Sequence, residues 1–454
     1  MALSPSEVRT LDRLRQQWES QGSLDELNAR YYDGRQRVEQ LGMAIPPTMR
    51  RFLVVSNWPR VVVDTIRSRQ RMRSMMLAGE DVADERLMRA RRASNLDAHL
   101  SMFETDVLVY GRGFLSCGTN ESSPGSPLVR AESPRQMVAE VDIRTETMIA
   151  AARFYGVDEQ TGQRPTNVTL YLPDVTVWVA RGSDGRWVEV DRDAHRLGRV
   201  PIVMHLNRRV SGEWIGRSEM ADITPLADAA ARSLTNMQFA QEAHGIPRMF
   251  MTGVAKGDFV DAQGKPIPQF EAYFNAIHTL TKENAKVGQL SASDLKNFET
   301  ALQTYGSQAS IVTGFPSRYF GHFTANPPNE ASMKADEAQL VANVEDKNLQ
   351  LGVTLGWLGG LQWRFMTGEW LEDNAVTVDW FDPSTPTIAQ REDALMKRRS
   401  AGVLSREGYW DELGWSEPRK AKERAYLDEE ATSDPILGAA RALTVPGDAA
   451  SGNV

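Results

Sequence analysis

The sequence of 454 residues is 41% hydrophobic and carries 52 Lys and Arg against 60 Asp and Glu, a formal net charge of -8. That apolar content builds a sizeable core and excludes a disordered chain, and the length calls for about two to four structural units. Net acidity argues against a protein that grips nucleic acid by neutralising phosphates over a broad face.

From Ser4 to about Val38, apolar residues at three- and four-residue spacing (Leu11, Leu14, Trp18, then Leu24, Leu27, Tyr31) predict a helix that YYDG closes. After the Pro46-Pro47 break, NWPRVVVDTIRSRQRM reads as a second helix with Val62, Val63 and Ile66 on its apolar side. A third is expected from Asp84 to Val109, ended by the glycines of YGRGF. The next hundred residues are short Val-, Thr- and Tyr-rich runs between Gly, Pro, Asp and Ser turns, which predict an antiparallel β layer and make the first half α+β.

The strand VPIVMHLN runs into the polar turn SGEWIGRSEM and then into a helix marked by Ile223, Leu226, Ala230, Leu234 and Met237. Gly245 and Pro247 stop it. Short strand and turn segments lead to Leu290, and a further helix carries the stripe Leu295, Phe298, Leu302, Tyr305 and Ala309, with Ser291 as its cap. Helices that bracket a compact insertion run antiparallel, so the insertion sits at the tip of a hairpin. Helices of five to seven turns give a stalk of ~30 to 40 Å.

Past the Pro-rich stretch TGFPSRYFGHFTANPPNEAS, a long helix opens at Asn329 or Ser332. Val341, Val344, Asn348, Leu351, Leu355 and Leu358 keep one face apolar, while Gly352, Gly356, Gly359 and Gly360 are expected to weaken or bend it. VTVDWFDPSTP reads as strand and turn, helices continue to about Glu430 with a break at AGVLSREG, and the tail is expected to be disordered.

Chemistry-bearing patterns are sparse. Neither a GxGxxG, a P-loop, a GxSxG elbow nor an HExxH occurs, and the six histidines stand ten or more residues apart. Cys117 is the only cysteine, so a Cys-based metal site and an intramolecular disulfide are excluded, and it reads as a buried thiol. Asp379 and Asp382 are imaginable as paired metal carboxylates, although two acids at a strand end more often form turns. Eleven arginines lie between Arg50 and Arg92, a solvated helical face or a partner for acidic surfaces. The longest apolar runs break before the ~20 residues of a membrane span, and the first twenty residues are charged where a secretory leader is apolar. A soluble intracellular product with no membrane partner is expected.

In the order of its elements from Leu27 to Asp428, the chain resembles the portal proteins of tailed bacteriophages, particularly long-tailed siphophages. The pieces that carry this are LNARYYDG, NWPRVVVDTI, GRVPIVMHLNRRVSGEWIGRSEM leading into ITPLADAAARSLTNM, GFPSRYFG ahead of ANPPNEASMKADEAQLV, and RRSAGVLSREGYWDELGWS. None is specific alone; their order and spacing are. The resemblance implies a portal-like α+β fold. It has an α/β wing with an antiparallel β layer (1–217), a two-helix stem (218–245 and 291–311) and a small β-containing clip (246–290). A tunnel-loop region (312–331), a long bent helix and the return to the wing (329–385, the helix from about Asn329 to Met366), a helical C-terminal crown (386–435) and a disordered tail (436–454) complete it.

Such proteins form rings, usually of about twelve subunits, through which a separate terminase drives double-stranded DNA. The implied partners are other copies of the chain, the terminase large subunit, a head-completion adaptor, the major capsid and scaffolding proteins, and DNA passing through. The implied location is the virion vertex, after assembly in host cytoplasm. No cofactor and no enzymatic chemistry are implied. A bore must let DNA slide, and strong phosphate neutralisation would brake it. On this basis His322, Asn326, Asn329 and Lys334 are expected along the bore, Lys256, Asp258 and Lys265 at the clip's docking surface, and Arg67, Arg69, Arg71 and Arg73 at subunit contacts. The turn SGEWIGRSEM then serves geometry, redirecting the chain into the first stem helix, expected from about Glu219 to His244. The competing readings are a metal-assisted hydrolase built on Asp379 and Asp382 and a different phage structural component such as a minor head protein.

Overall fold

The computed structural model describes residues 3–36, 54–80, 82–123, 125–157, 165–182, 184–244, 249–253, 286–289, 295–321, 330–372, 375–384 and 388–433. These fall into two compact units, 1–383 and 384–454.

Helix α1 spans Pro5–Tyr32 and starts on a full capping box, in which the Ser4 hydroxyl accepts from the Glu7 backbone and the Glu7 carboxylate accepts from the Ser4 backbone. Leu11 and Leu14 are buried as expected. The second half of the stripe is misread by spacing: Leu24 and Leu27 are exposed, and Asp25 and Ala29 face inward instead. Asp25 is buried because Arg112 grips it with two hydrogen bonds of 3.0 and 2.7 Å.

Helix α2 is Trp58–Arg69, and the chain then forms a strand, β1 (Met72–Leu77), where more helix was expected. The predicted third helix is two, α3 (Glu85–Ala93) and α4 (Leu96–Tyr110). They break at Asn95, whose φ of 50° is the left-handed conformation that Asn tolerates better than most residues.

The β layer is two antiparallel sheets. One has the order β3-β2-β9, with β2 at Arg112–Gly118, β3 at Leu128–Glu132 and β9 at Ile202–Leu206. The other is a meander, β4 (Met137–Asp142), β5 (Thr147–Tyr155), β6 (Asn167–Tyr171), β7 (Thr176–Arg181) and β8 (Trp187–Asp193). Leu11 and Leu14 of α1 pack on one face of the meander through Phe154, Val168 and Val177. The other face meets β2 and β9 through Met137, Ala151, Phe114 and Ile202.

After β9, helix α5 runs Thr224–His244, starting five residues later than expected. Strands β10 (Met249–Thr252) and β11 (Lys286–Gln289) pair antiparallel, and α6 (Lys296–Thr313) packs back on α5. The expected helical hairpin with an insertion at its tip is therefore closed at the tip end by a strand pair. Helix α7 is a single helix, Glu330–Thr367, with Val344, Asn348, Leu351, Leu355 and Leu358 buried.

The glycines of α7 admit a strand against the helix. Strand β12 (Val376–Trp380) pairs antiparallel with β1 and lies on α7. A Cβ on Gly356 would stand 2.7 Å from the Val376 carbonyl oxygen, and one on Gly359 would stand 2.7 Å from a Val376 methyl. Gly360 faces open space.

The second unit contains α8 (Ile388–Ser400), α9 (Arg406–Glu412) and α10 (Glu417–Ser433). Ser405 caps α9, Trp410 stacks on Trp415 at 5.7 Å, and Arg424 grips Glu407 at 2.8 and 2.7 Å.

Two neighbouring glycines should respond oppositely to one methyl group. In the monomer, Gly360→Ala should raise the thermal midpoint, worth up to about 1 kcal/mol of helix propensity. Gly359→Ala should lower it by about 1 to 3 kcal/mol through overpacking against β12.

Candidate functional site

The described residues contain no group of three His, Cys, Asp or Glu placed to hold a metal. Asp379 lies 3.7 Å from Arg73, in an ion pair across the β1–β12 ribbon. Cys117 is buried, and burial pushes its thiol up out of the reactive range. The helical hairpin, the sheets and α7 meet at one junction.

One apolar cluster at this junction collects pieces from across the sequence. Tyr31 and Tyr32 end α1, Trp58, Val62, Val63 and Ile66 belong to α2, Met220, Ile223 and Leu226 lead into α5, and Phe315, Tyr319 and Phe320 come from GFPSRYFG. Leu108 and Val109 of α4, Ala309 of α6 and Leu340 and Val344 of α7 belong to it too. Trp58 meets Phe320 edge-on at 5.6 Å. Four of the five segments on which the resemblance rests thus converge in space.

Polar tips around the cluster fix its members. The Tyr31 hydroxyl donates to Asp228 of α5 at 2.8 Å, and the Tyr32 hydroxyl donates to Asp64 of α2 at 2.9 Å. Arg69 donates to the Tyr319 hydroxyl at 3.1 Å and lies 3.6 Å from Glu337 of α7. Arg318 also pairs with Glu337.

Beside it the turn between β9 and α5 is anchored by a nearly dry ion pair. Lys347 of α7 donates to Asn207 Oδ1 and Glu219 Oε2, each at 2.8 Å, and Asn207 Nδ2 donates to the Arg217 carbonyl and to Glu219 at 2.8 and 2.9 Å. Backbone crosses backbone here: Asn207 N–H donates to Gly111 O, Arg217 N–H to Asn207 O and Glu219 N–H to Leu108 O, all at 2.8 Å. Gly111 has a φ of 78°, and a Cβ on Gly216 would lie 1.7 Å from Gly111 O, so neither position accepts a side chain. His205 of β9 meets α7 farther along, where its Nδ1 lies 2.8 Å from Thr354 Oγ1. It is held neutral, since burial and then Lys347 push it down to about 4.

The expected site residues divide. His322, Asn326, Asn329, Lys256, Asp258 and Lys265 lie outside the described residues, as do Ser291 and the tail 436–454. Lys334 is exposed in the first turns of α7. Arg67 donates to Ser101 at 2.8 Å, and Arg69 serves Tyr319 and Glu337, so both guanidiniums have partners within the chain. Arg71 is exposed over the Phe381 ring and Arg73 pairs with Asp379.

Spacing gave no warning of the Lys347–Glu219 pair. The one available signal was a lysine standing in the apolar stripe of α7 between Val344 and Leu351, where a charge demands a buried partner.

Comparison with known proteins decides the lineage. A sequence model described as "Phage portal protein, SPP1 Gp6-like" matches residues 11–435. The chain belongs to this phage portal protein family. The "Portal protein" of Mycobacterium phage D29 is 32% identical over 433 residues, 92% of this chain and 88% of the relative. That of Mycobacterium phage L5 is 32% identical over 417 residues, 89% and 85% of the two chains. Among solved structures, a chain of "Virion of native gene transfer agent (GTA) particle" is similar at 16% identity and a TM-score of 0.44, over 81% of this chain and 93% of that one. A chain of "Neck of native GTA particle computed with C12 symmetry" is similar at 14% identity and 0.44, over 82% and 93%. Structural likeness at this level says nothing about assembly. The portal-like fold rests on the family match and on the mixed helix and antiparallel-sheet architecture above.

Two measurements test the portal junction. Lys347→Met leaves Glu219 without its cation and should cost about 3 to 5 kcal/mol, with part recovered in the Lys347→Met, Glu219→Gln double variant, read from denaturation midpoints. Burial pushes the Glu104 carboxyl in α4 up to about 8 from 4.5, with Arg67 opposing. The folded chain therefore keeps a proton that the unfolded chain releases, and the stability from this group is full below about pH 4.5 and lost as pH rises toward 8. Glu104→Gln should flatten the fall in thermal midpoint between pH 5 and pH 8.

Proposed function

We propose that this chain is the portal subunit of a tailed bacteriophage, assembling into a ring at one capsid vertex through which double-stranded DNA enters and leaves. The observation that carries the reading is the family match over residues 11–435 together with the convergence of four of the five signature segments on one junction. A separate motor, the terminase large subunit, supplies the energy, and this chain's own part is structural.

In this reading α5 and α6 form the stem, and the insertion between them, drawn together by β10 and β11, is the clip. The clip docks terminase and the head-completion adaptor, with Lys256, Asp258 and Lys265 as its contact candidates. Segment 312–331 contains the tunnel loop, with His322, Asn326 and Asn329 toward DNA and Lys334 as the cation at its α7 end. The β layer with α1 to α4 is the wing, and residues 386–435 are the crown, both presented to capsid and scaffolding protein. A net charge of -8 suits a passage that must not hold phosphate. Of the four arginines considered for subunit contact, Arg71 is the exposed one and the best placed to meet an acid of the next copy. Assembly takes place in host cytoplasm. Among the described residues no helix is long and apolar enough to cross a membrane.

A hydrolase built on Asp379 and Asp382 has less support, since Asp379 faces Arg73 and the family match points elsewhere. Light scattering on the purified protein, with negative-stain images of the same fraction, should give a closed ring of about twelve copies with a central hole, the closure that repeated heterologous contacts produce. A compact dimer or tetramer without a bore would overturn the portal reading.

A further inference from the structure

Helix α7 carries no charged residue from Asn348 to Trp363. Its inward side, Leu351, Leu355 and Leu358, is the core described above. Its outward side carries an apolar stripe as well: Leu349, Val353 and Trp357, four residues apart, are 73%, 59% and 42% exposed, with only Gln350 exposed and polar among them. An apolar stripe on a helix is normally covered, and the body of the chain covers only the other side.

The end of this stripe is shaped. Arg199 lies between Trp357 and Trp370, 4.9 and 4.8 Å from their ring centres, and lines a shallow cleft with Gly356 and Gly360. Among the described residues nothing lies within 4 Å of a Cβ at Gly360, so they give no steric reason for a glycine there. Close approach of another backbone does.

We infer that the outward face of α7 from Leu349 to Trp357 is covered in the ring by a second copy of this chain, through the surface of that copy's α6. The inference rests on the ring reading. Repeated ring contacts are heterologous, so each chain must present two different faces that fit each other. Helix α6 offers the matching face. No charge occurs from Thr300 to Ser317, and Ile311 and Val312 are 72% and 48% exposed. Pairing two uncharged faces strips water from no unpaired charge. The flanks match also. Before the uncharged run of α7, beyond the buried Lys347, stand Glu345 and Asp346, and after it stands Arg364. The uncharged run that α6 opens is bounded by Glu299 before it, with Lys296 at the helix start, and past the end of α6 by Arg318, itself paired to Glu337. Laid antiparallel, each acidic end meets a basic one.

The single native cysteine makes the test clean, because Cys117 is buried and its thiol is held protonated. Val353→Cys and Ile311→Cys place exposed thiols on the two faces, singly and together. Treated with a short bismaleimide at assembled and unassembled fractions, the double variant should give a ladder of covalent multimers in the ring fraction, and the wild type and single variants should give none. The Val353→Cys thiol should also react at least tenfold more slowly in the ring than in the monomer. Rings without a ladder, whether the thiol is protected or open, would overturn α6 as the occupant, and an open thiol would overturn the covered face altogether. Wild-type protein that never forms a ring would instead remove the portal reading on which the inference stands.

Discussion

Lys347 is the member on which the architecture turns. Its ammonium, nearly out of water, has two acceptors, Asn207 at the end of β9 and Glu219 at the entry to α5. A buried lysine cannot be left unmatched without a cost of several kcal/mol, so the position of α7 fixes that of the turn, and the turn fixes where the hairpin leaves the sheets. The polar stretch SGEWIGRSEM is shaped by this requirement, with glycine where its backbone presses on Gly111 and a carboxylate where the lysine arrives. Buried ionic groups are often poor sources of net stability and good sources of uniqueness. Here the uniqueness is of an angle, the one at which the hairpin leaves the sheets.

The apolar cluster at the same junction explains why weak sequence signatures add up to a family. Tyr31, Trp58, Ile223 and Phe320 lie on four separate segments, and each segment alone is an ordinary aromatic or aliphatic run. They are constrained by one another, since a side chain that fills a shared space is fixed by the volume its neighbours leave. Their order and spacing are tied together because the four must meet.

Periodicity made much of this legible and failed where distant partners decide. The inward face of α7, the helix over α2 and the antiparallel runs after Gly111 could be read locally, since apolar side chains repeat with the period of the element that buries them. Asp25 and Leu24 exchanged their expected places because Arg112, far along the chain, offers Asp25 a bidentate partner. MRSMML lacks the β-branched residues that announce a strand, and it becomes β1 through pairing with a segment roughly 300 residues later. Gly356 and Gly359 of α7, read as weak points, are clearances for that same segment. Lys347 and Glu219 are invisible as a pair for the same reason.

That late pairing has a consequence for how the chain is made. At a synthesis rate of about 5 to 20 residues per second, β1 leaves the ribosome on the order of tens of seconds before β12 exists to receive it. Throughout that interval a methionine-rich strand has an open edge, the feature that invites pairing with a wrong chain. Arg71 and Arg73 bracket Met72 at its start, and charges so placed discourage such association until Phe381 and Asp379 arrive to receive them. Two of the arginines that crowd the early sequence thus sit where charge opposes edge pairing, and the same two hold the finished ribbon together.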